Sequence, residues 1–523
     1  DFQWIGKWHN VTDRRDTFSF EWVTKEEDVF GTVPQYATLT KVVPVVSQVE
    51  ETIWITEPVI QQQTILITER IEQTVTGLPT ATFANESLRA GARITIDAGT
   101  DASFIGLTRA TEALGEILVT AGRDVLLDGA RPSGAAPDSL AAVADLRAGT
   151  RVDVSSGRKI SMTADAILRA DDWDATTQTE VIRLTAGETL TVQSDAFGGH
   201  EIFLHSGGDV LLQSKLTSGH LIDVRAGLGP SGIGSVITSV ETDLATLGSE
   251  IVIAAGANGG NLALTNAQIL TAGPITLNAP AGSLIHSGGQ ILADTLTAVV
   301  KNGITANLDV RTVSASVTGS GDVNLVTNGS VTLANITVAS GSVAVEGFGD
   351  ITAQNITTQG GSGGISLIGL QGDLTLGNIN ASGQLDVKSD VGEITRLTGT
   401  SINADKVTYT GELESGFDLA TDDVTLITRS AGDVVINYTG TGPLTLRQVY
   451  VLAGSLIVNT PGDLVVMDAR LLSNNDAYRV QLNAGGEAAG RANGGSFELG
   501  GGEVAGFEVT NGHVAAGVQL DTV

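Results

Sequence analysis

Between Gly321 and Gly462 the chain repeats one short phrase of apolar and polar positions, Gly-x-[Val/Ile/Leu]-x-[Val/Ile/Leu]. It starts at Gly321, Gly329, Gly341, Gly349, Gly363, Gly372, Gly383 and Gly392, and again at Gly432, Gly442, Gly454 and Gly462. Short and long gaps alternate, so every second start lies about 20 residues on, which is the period of a coil stacked on copies of itself. Alternation within each phrase puts the aliphatic members on one side of a short strand and the polar ones on the other. The pattern predicts an all-β chain whose body is a β-solenoid with coils of about 20 residues.

Upstream, a second phrase, [Leu/Val/Ile]-x-Ala-Gly, closes strand-like segments at Leu88 to Gly91, Val119 to Gly122, Leu146 to Gly149, Leu184 to Gly187, Val224 to Gly227, Ile253 to Gly256 and Leu270 to Gly273, and once more at Leu482 to Gly485. Each glycine is expected to take a left-handed turn, with the small alanine before it letting the backbone corner tightly. The strands that follow, such as Ile94-Thr95-Ile96, Val152-Asp153-Val154 and Leu190-Thr191-Val192, should point their aliphatic members into the coil. Over roughly residues 88–485 this phrase resembles the repeats of filamentous-haemagglutinin-like exoproteins. The resemblance implies a right-handed parallel β-helix and an adhesin or surface protein secreted by a bacterium. An Asn-Pro-Asn-Gly motif, which marks that family's amino-terminal secretion domain, does not occur in the chain.

The pattern divides the chain into three parts. Residues 1–80 hold Trp4, Trp8, Trp22 and Trp54 out of five tryptophans, a charged cluster from Lys25 to Asp28, and alternating runs from Thr52 to Thr56 and Thr64 to Thr68. They read as a β-rich capping or subunit-joining module, with the four tryptophans as candidate self-association residues. Residues 81–485 form the expected solenoid, roughly 20 coils at the period above, and residues 486–523 a Gly-rich set of terminal strands or a cap. Three segments break the rhythm: 130–147, with Pro132, Pro137 and a short helix expected from Asp138 to Val143; 163–180, with Asp171-Asp172-Trp173-Asp174; and 227–249. Excursions on a solenoid are where binding surfaces usually sit.

Composition narrows the function. The 65 glycines, 11 prolines and 17% charged residues suit strands and tight turns rather than helices. A formal charge of −30, from 59 acidic and 29 basic residues, repels a nucleic-acid backbone. With no cysteine there is no disulfide, thiolate catalysis or thiolate zinc site. No run of 18 apolar residues occurs, so no transmembrane helix is expected. A chain that begins at Asp1 without a signal peptide reads as a processed product or a part of a longer polypeptide.

Four constellations carry candidate chemistry. Gly227-Leu228-Gly229-Pro230-Ser231-Gly232 matches Gly-x-Gly-x-x-Gly, with a helix expected from Ser235 to Leu247 and Glu250 downstream, as a dinucleotide loop requires. Pro230 and the abundance of glycine favour a plain loop excursion. His200, Glu201, His205 and His220 offer transition-metal ligands. Because 201–204 reads as a strand, alternation turns neighbouring positions to opposite sides, and solvent-exposed histidines are the preferred reading. Asp171, Asp172 and Asp174 are weak candidates for calcium, set against a solvated acidic loop. The Gly-Asp steps at Asp209, Asp322, Asp350, Asp373, Asp433 and Asp463 fall at matching places and suit turn chemistry better than a cation ladder. Basic residues are sparse and scattered within the coils, which argues against a polysaccharide-cleaving site. The sequons at Asn335, Asn355 and Asn437 are assigned no role.

No catalytic or cofactor-binding residue is assigned, and calcium at the acidic loop is kept as a weak candidate. The expectation is a non-catalytic extracellular structural or adhesive solenoid, a filament protomer or a segment of a long surface protein that self-associates end to end. Its other expected partners are a glycan or a host or cell-surface receptor. The alternative is a polysaccharide-binding or polysaccharide-degrading β-helix.

Overall fold

The computed structural model describes residues 88–484 except 106, 111–113, 129–143, 165, 171–179, 194–195, 199, 240–241, 247, 430–432 and 472–478. It also describes strands Phe2–Asn10, Asp16–Thr24, Glu72–Ala84, Ala488–Gly500 and Val504–Val514. Among the described residues every regular element is a β-strand, and the chain winds as a right-handed parallel β-solenoid with about 22 residues per coil.

One column of paired residues runs through the body without interruption. Ala102, Val125, Ile160, Leu190, Val210, Val236, Leu262, Leu284 and Ile304 stack in parallel register. Val323, Val343, Ile365, Leu385, Val407, Val424, Leu446 and Val466 continue it. Each is at most 2% exposed. The column marks about 16 turns, which at about 4.8 Å per strand makes a rod on the order of 75 Å. Parallel pairing reaches past both limits that the repeats imply: Glu72–Ala84 already pairs with Arg93–Ile105, and Ala488–Gly500 with Val504–Val514.

From Glu116 to Ser287 each coil has three strands. Arg151–Ser156, Lys159–Met162 and Ile167–Ala170 form one coil, and each pairs with its counterpart in the next: Val181–Ala186, Thr189–Val192 and Ala196–Gly198. Three sheets therefore enclose the core. From Gln290–Val300 onward strands run straight through a corner, so that this one strand pairs with both Ala267–Leu270 and Pro274–Ala279 of the coil before. The alternation predicted for the strands holds: Ile94, Ile96, Val152, Val154, Leu190 and Val192 are all fully buried. The segment from Ser235 to Leu247 differs from expectation. It holds strands Val236–Thr238 and Thr242–Thr246, which pair with Leu262–Thr265 and Ala267–Leu270. The neighbouring coils offer a strand template there, and backbone pairing on both sides outweighs weak local helix propensity.

The corner glycines obey a reason other than the expected one. Of the described glycines that close the Ala-Gly phrase, Gly227 alone has a left-handed backbone, with φ of 70°. Elsewhere the constraint is proximity. A Cβ on Gly122, Gly157, Gly187 or Gly207 would land on the carbonyl oxygen of Gly99, Gly122, Gly157 or Gly187 in the coil before. The same corner carries the backbone ladder, Gly157 N–H donating to Ala121 O at 2.9 Å and Gly187 N–H to Ser156 O at 3.0 Å. A side chain cannot be added without parting those bonds. The phrase also serves two different corners, since Ala121 and Ala186 end strands of one sheet and Ala148 ends a strand of another.

One of the buried polar side chains is an imidazole. His286, on strand Leu284–Ser287, is 1% exposed, and its Nε2 lies 2.9 Å from the Ala267 carbonyl. Burial pushes the imidazole pKa down despite that hydrogen bond, while Nδ1 finds no partner. The folded state therefore holds it neutral.

Two outcomes follow from these contacts. Gly187→Ala should cost about 1–3 kcal/mol in chemical denaturation, whereas Gly248→Ala, where a Cβ meets nothing within 4 Å, should be near neutral. Because His286 takes up its proton more readily in the unfolded chain, near pH 6.5, stability should fall as pH drops below about 6.5. Thermal melts of His286→Leu between pH 7.5 and pH 4.5, run beside the parent chain, should show a smaller acid loss; parallel curves would refute this.

Candidate functional site

Stacking in register turns each outward position into a column, and the columns hold the chemistry. Immediately before the buried column described above runs a polar one whose members cap the next coil's backbone. Asp101 Oδ1 accepts from Asp124 N–H, and Asp124 Oδ1 from Lys159 N–H, both at 3.2 Å. Further along, Asp209 accepts from Ser235 N–H at 2.8 Å, Ser235 from Asn261 N–H at 3.0 Å, and Asn261 from Ser283 N–H at 2.8 Å. Asp322 accepts from Ser342 N–H at 2.7 Å. At a second corner Asp350 accepts from Asp373 N–H at 3.0 Å and Asp373 from Glu393 N–H at 2.8 Å. The aspartates of these Gly-Asp steps thus bind the backbone of the coil above them.

Amides form similar ladders on flat faces. Asn459 donates to Asn437 at 2.9 Å and Asn483 to Asn459 at 2.7 Å, while Asn378 donates to Asn355 at 3.1 Å. Two of the sequon asparagines, Asn355 and Asn437, are therefore members of these ladders. Like charges also stack: burial raises the Glu393 carboxyl pKa, and Glu414, Glu412 and Asp373 push it further the same way.

Basic residues that are dispersed along the sequence come together here, which corrects the expectation of scattered charge. At the first corner Arg123 pairs with Asp101, and Arg158 with Asp124 at 2.6 Å. Hydrogen bonds from Arg123 and Arg158 hold the two carboxyls below the usual range against the opposing effect of burial. On an adjoining sheet Arg93 meets Glu116 at 2.6 Å, and Arg151 meets Asp153. Arg183 of the next coil reaches the same Asp153 at 4.0 Å. The remaining sheet is different: Arg89, Arg109, Arg147 and Arg169 occupy one position in four consecutive coils. Asp145, buried on the strand of Arg147, serves both Arg147 at 2.6 Å and Arg109 at 3.6 Å. The signal was present in the sequence as Leu88-Arg89-Ala90, Leu146-Arg147-Ala148 and Leu168-Arg169-Ala170, in which the variable position of the Ala phrase is arginine.

The histidines divide. His205 lies on the outer face of strand Glu201–Ser206, 3.4 Å from Asp223, which Arg225 also binds at 2.8 Å. Burial raises the Asp223 pKa, but the bonds from His205 and Arg225 outweigh it and hold the carboxyl below its ordinary value. His200 and His220 instead occupy the same corner in consecutive coils, with rings stacked at 4.7 Å. Together with Glu201 they bring three ligand atoms within 4.8 Å of one another. Alternation along one strand did not foresee this, because the histidines meet across coils.

The Gly227 to Gly232 loop turns into Val236–Thr238 through a bridge between Ile233 and Gly259, and among the described residues no helix amino terminus faces it. The structure therefore does not build the dinucleotide loop. Asp171, Asp172 and Asp174 lie outside the described residues, as do Trp173, Trp54 and the segment from Asp138 to Val143. Trp4 stands opposite Trp22, and Trp8 opposite Phe18, in the antiparallel pair Phe2–Asn10 and Asp16–Thr24. No helix of the described residues is long and apolar enough to cross a membrane. No family model, no curated protein and no solved structure matches the chain.

Proposed function

We propose that this chain is a non-catalytic structural or adhesive protein of the cell exterior, a filament protomer or a segment of a long surface protein that associates through its end modules. The observation that carries the reading is the use of outward side chains: Asp, Ser and Asn residues on successive coils are spent on binding the coils to each other. A surface organised that way supports a rod whose length is its purpose. The resemblance to filamentous-haemagglutinin-like repeats points the same way, and Trp4 and Trp22 stand opposite each other in the register of the amino-terminal strand pair.

Sedimentation velocity and negative-stain imaging of the full chain test this. Concentration-dependent end-to-end assembly that is lost in a Trp4→Ala, Trp8→Ala, Trp22→Ala variant is expected. A parent chain that stays monomeric at every concentration would count against self-association.

The alternative reading, a binder of acidic polysaccharide, is favoured by one observation, the arginine column from Arg89 to Arg169. The cations of Arg109, Arg147 and Arg169, repeating at about 4.8 Å, suit a polymer with regularly spaced carboxylates, and Arg is suited to bidentate carboxylate contacts. Under this reading polygalacturonate binds and neutral dextran does not. Arg109→Ala with Arg147→Ala should abolish retention on a polygalacturonate matrix at about 0.15 M salt; equal retention of parent and variant would remove the reading.

A further inference from the structure

We propose that His200, Glu201 and His220 form a surface site for one divalent transition-metal ion, zinc being the best match, which clasps two consecutive coils. The backbone sets up the geometry. His220 N–H donates to His200 O at 2.9 Å, and His200 N–H to Glu180 O at 3.2 Å, so the two imidazoles hang from one corner at the spacing of neighbouring strands. Ser218 ties both together, its hydroxyl donating to His200 O at 2.5 Å and accepting from His220 N–H at 3.4 Å. Neither histidine can drift in register without breaking that frame.

The side chains complete the set. The imidazole planes lie 21° apart, and Glu201 Oε1 stands 4.0 Å from His220 Nδ1. Zinc takes nitrogen and oxygen ligands at about 2.0–2.2 Å, which places ligand atoms roughly 3.4 Å from one another. Ligand atoms within 4.8 Å reach that spacing by side-chain rotation alone. The His220 and Glu201 side chains are 50% and 30% exposed, so an ion enters from solvent without any opening of the coil. Two imidazoles with one carboxylate make a zinc ligand set that leaves a position for water. Nitrogen donors select zinc, nickel or copper over calcium and magnesium, which prefer all-oxygen shells. The surrounding chain, at −30, adds a long-range attraction for any divalent cation.

His205 supplies an internal control. It lies in the same strand as Glu201 but is engaged with Asp223, and it takes no part in the site.

The test is isothermal titration of the EDTA-stripped, dialysed full chain with zinc chloride, then with calcium chloride, alongside thermal melts with and without metal. The parent chain should bind one zinc ion in this site, with a raised melting temperature, and calcium should not reproduce the effect. His220→Ala should lower zinc affinity by more than the about 10- to 100-fold typical of losing an outer-shell partner, and His205→Ala should leave it unchanged. Melts without metal report whether each variant is folded. Glu201→Gln, which keeps the shape of the side chain, provides a second reading should His220→Ala be unstable. No zinc uptake by the parent chain, or equal affinity in parent, His220→Ala and Glu201→Gln, would overturn the proposal.

Discussion

The hydrogen bond from one coil to the same position in the next is the constraint on which everything else rests. It fixes the strand spacing at about 4.8 Å and places every residue on its counterpart. A single coil cannot hold itself: ordering its residues costs about 1–2 kcal/mol each, and its core of a few aliphatic side chains does not offset that. The column from Ala102 to Val466 shows how the array overcomes it. Each aliphatic side chain packs on the one below and shields the one above, so the dry interior is a property of the stack.

Stacking sets rules for polar groups as strict as those for the core. A position that holds an acceptor in one coil meets the backbone of the next, which is why short oxygen-bearing residues recur at the corners from Asp101 to Asp373. Charges must alternate or be diluted along a column. The Arg93 and Glu116 pair and the Arg158 and Asp124 pair meet the rule by alternation. The arginine column, with Asp145 shared between two guanidiniums, meets it only partly. The histidines that stack at His200 and His220 are a second departure from it.

Much of the fold could be read from the chain because period and alternation are properties of sequence. The Gly phrase marks strand starts at Val323, Val343 and Ile365, and the aliphatic members enter the core. What stayed hidden depends on which residue lies above which. The gap between equivalent positions varies: Val125 stacks on Ile160, yet Leu190 on Val210. Without that register, His200 and His220 are two positions in a list, and Arg109 and Arg147 are strangers. The helix expected from Ser235 to Leu247 failed for a related reason, since its backbone was claimed by strands on both sides.

The line of glycines from Gly99 to Gly207 has an effect on assembly itself. Repeats this alike invite a newly forming coil to dock one residue out of step, which would exchange its inner and outer faces. With bare backbone meeting bare backbone at that edge, such a slip would drive a Cβ into a carbonyl oxygen. The spine therefore sets the step of each turn as well as its closeness, because bare backbone fits there in one alignment.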